Sequence, residues 1–217
     1  MAREAAPTPP PGGGRRARSA HETEFGRIVA FSDGVLAIAI TLLTLNLEVP
    51  KVSSDDSAAL ADGIVDLAPH FFAYALSFAV VGRMWLVHHR FFATLVGFDG
   101  RLMAANLLYL SLIVLVPFAS DLLGTYGEID VAVITYAAVL GLASLVNVLM
   151  IRYALREELV RPADRPATEP FGGLRGLGIP GAFLVSIPVA LIDPLAGQLT
   201  WLLAFVSVRL QRRAGSR

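Results

Sequence analysis

Ser32 and Asp33 interrupt an otherwise apolar run that begins Arg27-Ile28-Val29-Ala30-Phe31-Ser32-Asp33-Gly34 and continues to Leu47. An ionisable group inside such a run is costly unless protein surrounds it, so it marks a functional contact. Asp33 lies six residues beyond Arg27, about 9 Å further along a helix axis and close to the opposite face. Its partner is therefore expected on another helix. A second apolar run ends in Arg83, Trp85, His88, His89 and Arg90. Trp85 and His88, three apart, share a helical face, while His89 points about 100° away. Asn106, near the start of the third run, lies at a compatible depth. The chemistry these types support is a hydrogen-bonded network that pins the first helix to its neighbours. The blander reading makes the histidines interfacial and Trp85 an aromatic-belt anchor. Metal binding is not supported, because adjacent histidines diverge on a helix and no second pair accompanies them. No nucleophile and base share one depth, so no enzyme is expected.

Beyond Gly34 the first run carries two neighbouring stripes. Ile38, Leu42 and Leu45 stand at i, i+4 and i+7 and form an apolar line. Ala37, Thr41, Thr44 and Glu48 form a second line of small, hydroxyl and acidic residues, turned by about 100°. Asn46 and Glu48 at the far end would make a ring of acceptors if several copies surrounded an axis. Small and hydroxyl residues also suit close helix packing in membranes, so periodicity leaves packing and a pore wall both open.

The elements that must position these residues follow from composition. Of 217 residues 55% are hydrophobic and 17% charged, mean hydropathy is +0.62, and net charge is zero. Soluble domains average about 25% charged residues, so the chain is displaced toward lipid. A water-soluble enzyme and a basic nucleic-acid binder are both disfavoured. With no cysteine there is no disulfide, thiolate metal site or cysteine catalysis. Residues 1–22, rich in Pro, Gly, Ala and Arg, predict a disordered tail, followed by a membrane domain over 23–208 and a basic tail over 209–217.

Six apolar stretches, at about 27–47, 67–87, 102–123, 130–153, 174–192 and 194–208, predict six transmembrane helices in an all-α protein. The last is short and follows Asp193-Pro194. Strict alternation over ~10-residue strands is missing, which disfavours a β-barrel. Under a six-span arrangement all seventeen arginines fall on one side and Lys51 alone on the other, so both termini are expected in the cytoplasm. Nine acids accompany the arginines and nine accompany Lys51, leaving one face at +8 and the other at −8. Zero net charge is thus a cancellation across a bilayer, and the acidic face would gather cations at a mouth.

The segment Arg27-x-x-x-Phe31-Ser32-Asp33-Gly34, with Ala37-Ile38-Ala39-Ile40-Thr41-Leu42-Leu43 after it, resembles the signature of the transmembrane protein 175 family of endolysosomal potassium channels. Trp85-x-x-His88-His89-Arg90-x-Phe92, Asn106 and Pro117-Phe118 are similar to the same family, and the likeness spans about residues 24–120. The single six-helix unit resembles prokaryotic members. This resemblance implies a homotetrameric cation channel that prefers potassium, with the first helix of each subunit lining the pore and no selectivity-filter loop. It implies apolar pore layers at Ile38, Leu42 and Leu45 with Ile38 the constriction, and a selectivity role for Thr41. It implies that Arg27, Ser32 and Asp33 join Trp85 and His88, with Asn106, in the network. The expected partners are other copies of the chain, the lipid bilayer and permeant monovalent cations. No cofactor, no metal and no nucleic acid are expected, and the location is a bacterial or archaeal plasma membrane. The rival reading is a proton-coupled small-solute or cation transporter with Asp33 and the histidines as a relay.

Overall fold

The computed structural model describes residues 13–53, 55–173 and 176–201. These are built from helices, with one isolated antiparallel bridge between Leu95 and Val160. Helix α1 (Gly13–Leu42) runs on as a 3-10 turn, Leu43–Asn46, and is followed by the short α2 (Ser57–Asp66). Next come α3 (Ala68–Ala93), α4 (Gly100–Val114), α5 (Val116–Tyr126) and α6 (Asp130–Arg156). A 3-10 turn at Pro162–Asp164, α7 (Arg165–Gly172) and α8 (Gly178–Ala190) complete the named elements, and residues 194–201 are helical.

Four helical stretches among the described residues are long and apolar enough to cross a bilayer: Glu24–Asn46, Ala68–Ala93, Gly100–Tyr126 and Asp130–Arg156. They correspond to the first four predicted spans. The third is α4 and α5 end to end, broken at Leu115. Pro117 has no N–H to give the carbonyl of Ile113, and the Leu115 amide bonds Leu112 three residues back instead. The predicted fifth span is shorter than expected, since α8 has 13 residues, about 20 Å of helix against a ~30 Å hydrocarbon core. Glycines at 172, 173, 176 and 178 delay its start, and a turn at Leu191–Ile192 ends it before Asp193 caps the next segment through the amide of Leu195. Residues 202–208 of the predicted sixth span, and the basic tail, lie outside the described residues.

Two further differences come from local chemistry. α1 begins at Gly13, inside the stretch whose composition predicts disorder. Arg15, Arg16, Ala17, Ala20 and Glu22 are good helix formers, and propagation from an existing helix avoids the cost of nucleation. Between 152 and 175, where charge and proline predict a solvated loop, α7 packs back on α6. A Cβ on Gly172 would stand 3.0 Å from Leu155.

α6 is the centre of the described fold, packed by α4, α5, α7 and α8. It buries Val133, Tyr136, Ala137, Leu140, Ala143, Met150, Ile151 and Ala154. Gly141 brings α8 close, because a Cβ there would be 3.0 Å from the Leu184 side chain. At its C-terminus α6 closes with Glu158 in the left-handed region (φ 57°), so that the Leu159 amide reaches the carbonyl of Ala154. This is the six-to-one bond of a Schellman cap. The linkers after α3 and α6 are then tied together by Val96 N–H to Leu159 O and Arg161 N–H to Thr94 O.

Candidate functional site

α1 presents its buried residues at heptad spacing: Phe25, Val29, Ser32, Leu36, Ala39 and Leu43. Ser32, Leu36, Ala39 and Leu43 have at most 2% of their surface exposed. Hydrogen bonds close a triangle between three helices at the arginine-rich end of this stripe. The Trp85 indole N–H of α3 donates to Asp33 Oδ1 at 2.9 Å, and His89 Nδ1 lies 3.2 Å from Asp33 Oδ2. Asn106 of α4 donates its amide N–H to Ser32 Oγ at 2.9 Å, and its Oδ1 is 2.9 Å from His88 Nε2.

The donor inventory assigns the histidine tautomers. The Asn106 oxygen can only accept, so Nε2 of His88 carries the hydrogen, and the Asp33 carboxylate likewise requires a hydrogen on Nδ1 of His89. The His88 ring lies between Phe92 at 4.2 Å and Tyr109 at 5.1 Å, which holds its plane. Ser32, His88 and Asn106 are each at most 1% exposed, so these bonds are made in a dry setting where losing one is expensive.

The predicted cluster is therefore brought together except for one member. Ser32, Asp33, Trp85, His88 and Asn106 meet, whereas Arg27 is exposed and makes no hydrogen bond or ion pair with a described residue. Asp33 takes His89 instead. A carboxylate has two oxygens, and residues 85 and 89, one turn apart on α3, serve one each. Sequence reasoning also missed Phe25, whose ring stacks on Phe92 and Phe98 at 6.4 and 5.8 Å and clamps α1 below the triangle. Its position seven residues before Ser32 was the available signal.

The face of α1 opposite the buried stripe is open. Phe31, Ile38, Leu42 and Leu45 are 55, 60, 38 and 73% exposed, and Ala37, Thr41, Thr44 and Glu48 are exposed beside them. Thr41 donates its hydroxyl to the carbonyl of Ile38 at 2.8 Å, so toward the open side its oxygen can only accept. Asn46 is half-buried and donates its Nδ2 to Pro117 O at 2.9 Å, which fastens the turn after α1 to the break in the third span and leaves Oδ1 as its acceptor. A second buried cluster, absent from the sequence reading, joins α3, α5 and α6, with Ser77 3.0 Å from both Ser120 Oγ and Tyr136 OH.

Outside the spans, Asp99 caps α4 through the Leu102 amide at 2.8 Å and accepts from the Tyr153 hydroxyl. The Tyr153 bond, then the Leu102 amide, hold the Asp99 carboxyl below the usual carboxylate range.

Residues 27–117 match the family model described as the endosomal/lysosomal potassium channel TMEM175. A protein of Chamaesiphon minutus named as a potassium channel is 36% identical over 177 residues, spanning 79% of this chain and 87% of that one. The chain belongs to the TMEM175 channel family. A Streptomyces collinus relative, also named as a potassium channel, is 38% identical over 182 residues, covering 77% of this chain and 86% of its own. The crystal structure of a Chamaesiphon minutus TMEM175 homolog, described as a lysosomal potassium-selective channel, superposes with a TM-score of 0.73 at 32% identity. It covers 86% of this chain and 98% of that one. As a TMEM175-family member with several apolar helices, the chain is a multi-pass membrane protein. The matched stretch contains the residues of the three-helix triangle: Ser32, Asp33, Trp85, His88, His89 and Asn106.

Proposed function

We propose that this chain is the subunit of a potassium-conducting channel in a bacterial or archaeal plasma membrane. Four copies set α1 around a central pore, and both termini are cytoplasmic. The observation that carries this reading is the division of α1. One face is locked to α3 and α4 by the triangle and the heptad stripe, while the opposite face leaves Ile38, Thr41, Leu42 and Leu45 uncovered. Relatives that cover most of their own length are named potassium channels, which supports the choice of ion.

In this arrangement Ile38 makes the narrowest apolar ring, followed by Leu42 and Leu45. An apolar ring offers no ligands, so it discriminates by the cost of shedding water, which is lower for K⁺ than for Na⁺. Thr41, its hydrogen held by Ile38 O, presents four acceptor oxygens next to that ring and offsets part of the dehydration. Glu48, exposed at the acidic end, raises the local cation concentration, an effect that falls with ionic strength. No cofactor takes part in this conduction.

The decisive experiment is the purified protein in a planar bilayer with K⁺ on one side and Na⁺ on the other. An ohmic current reversing toward the K⁺ equilibrium potential is expected. Flux that saturates and follows a proton gradient would establish a transporter in its place. Ile38→Asn is expected to raise basal current and shift the reversal potential toward zero. Unchanged conductance and reversal potential in that variant would remove Ile38 from the pore.

A further inference from the structure

The first span changes its winding at the acidic end of the bundle. Its last residues, Leu43–Asn46, form a 3-10 turn, which the Leu47 amide closes on the carbonyl of Thr44 at 3.1 Å. Residues three apart eclipse in a 3-10 turn, whereas at the roughly 100° per residue of an α-helix they stand about 60° out of line. Two pairs are aligned in this way. Asn46 stands over Leu43, the last residue of the buried stripe, and Leu45 stands over Leu42 on the open face. Leu43 is 0% exposed and Leu45 is 73% exposed. α-Helical winding to the end would turn both pairs out of register together.

Something outside the turn must favour the tighter winding, because the hydrogen bonds of a 3-10 turn are poorer than those of an α-helix. The half-buried Asn46 supplies it. Placed in the buried stripe, its Nδ2 donates to Pro117 O in the first turn of α5, and the turn packs on both α3 and α5. Rotated by about 60°, the same amide would swing out of that seam and away from its acceptor. The acceptor is itself fixed, since α5 starts afresh beyond the break at Leu115 with Val116 and Ala119 fully buried. A carbonyl oxygen has two lone pairs, so Pro117 O can take Asn46 without leaving the α5 helix.

We propose that Asn46 is a positioning residue for the last pore layer: its bond to Pro117 holds the final turn of the first span in 3-10 winding and so stacks Leu45 over Leu42. This inference rests on the reading of α1 as the pore helix. Asn46 acts through Leu45, whose ring of side chains is kept as well defined as the Leu42 ring one turn before it. A ring free to wander presents a less uniform dehydration barrier, so discrimination of potassium from sodium falls when the bond is lost.

The chain has no cysteine, so Leu42→Cys and Leu45→Cys can each be spin-labelled in the otherwise unaltered full-length protein. Each is reconstituted in phosphatidylcholine vesicles, and distances between copies are read from dipolar coupling. Both labels are expected to give narrow distributions. Asn46→Leu keeps the size of the side chain and removes the donor, with Asn46→Ala taking its place should that variant fail to assemble. In this background the distribution at 45 is expected to broaden several-fold while that at 42 keeps its width. Asn46→Gln, which retains the amide, is expected to restore the width at 45. Without a label, Asn46→Leu is expected to shift the reversal potential between K⁺ and Na⁺ toward zero, by less than Ile38→Asn does. An unchanged width at 45 would overturn the inference and leave the pore reading standing. Equal broadening at 42 and 45 would overturn it by showing that the bond holds the whole helix and not its last turn. Absence of coupling between copies at both sites in the parent chain would remove the pore reading, and this inference with it.

Discussion

The first span, Glu24–Asn46 on α1, and α6 are comparably apolar, yet they play opposite parts in the fold. Of their most apolar stretches, 22% of α1 and 56% of α6 is buried within the subunit. α6 is surrounded by α4, α5, α7 and α8, and its stability comes from close-packed Leu, Ala and Gly. α1 and the 3-10 turn that ends it touch α3, α4 and α5 along a single stripe, and its placement depends on a few directional bonds. A helix held on one side by hydrogen bonds keeps the other side available. A helix gripped all round serves as scaffold.

That contrast can be broken by experiment, beginning with the bonds of α1. Asn106→Ala removes the acceptor of His88 and the donor to Ser32 together, leaving two dry groups orphaned at a cost of about 1–3 kcal/mol each. The expected outcome is a large loss of folded, assembled protein by size-exclusion chromatography. A variant with wild-type yield and melting temperature would show that packing alone holds α1.

The next test applies one substitution to both helices. Leu140→Ala on α6, at 0% exposure, is expected to destabilise the subunit by about 2–5 kcal/mol. Leu45→Ala in the 3-10 turn that ends α1, at 73% exposure, removes few contacts within the chain and is expected within about 0.5 kcal/mol of wild type. Thermal unfolding of the two side by side would reverse the comparison if their losses were equal.

A smaller effect sharpens the scaffold side. Glu158 caps α6 in a left-handed conformation that costs a non-glycine residue about 1–2 kcal/mol. Glu158→Gly is expected to raise stability by about 1 kcal/mol or less, since glycine also gains freedom in the unfolded chain. A lower melting temperature would contradict the cap.

The smallest effect is in the acid limb of stability. The folded-state carboxyl of Asp99 is depressed, so its contribution is present above the unfolded carboxylate value and is lost as pH falls through the folded one. Tyr153→Phe removes the leading cause of that depression. Its stability is therefore expected to fall less between pH 6 and pH 3 than that of wild type, as read from melting temperatures across that range.

Much of this was legible in the residues alone. Ser32 and Asp33 announce a contact because polar groups in an apolar run need partners, and Trp85, His88 and Asn106 were the candidates at compatible depth. Other features were beyond one-dimensional reasoning. Helical periodicity ranks residues around one axis but does not say how two axes are turned toward each other. That relative rotation gives Asp33 to His89 and leaves Arg27 outside. The donation from Asn46 to Pro117 spans 71 residues and depends on a backbone break in another helix. The Ser77, Ser120 and Tyr136 cluster uses ordinary residue types at unremarkable spacing.

The sequence by itself determined that this is a multi-pass membrane protein, because hydropathy is additive along a chain. It also determined the residues that would seek one another at one depth of the bundle. Which face of α1 is sealed and which is open was decided by the tertiary structure. The two faces are both apolar enough for lipid, and the packing of α3, α4 and α5 against Leu36, Ala39 and Leu43 distinguishes them.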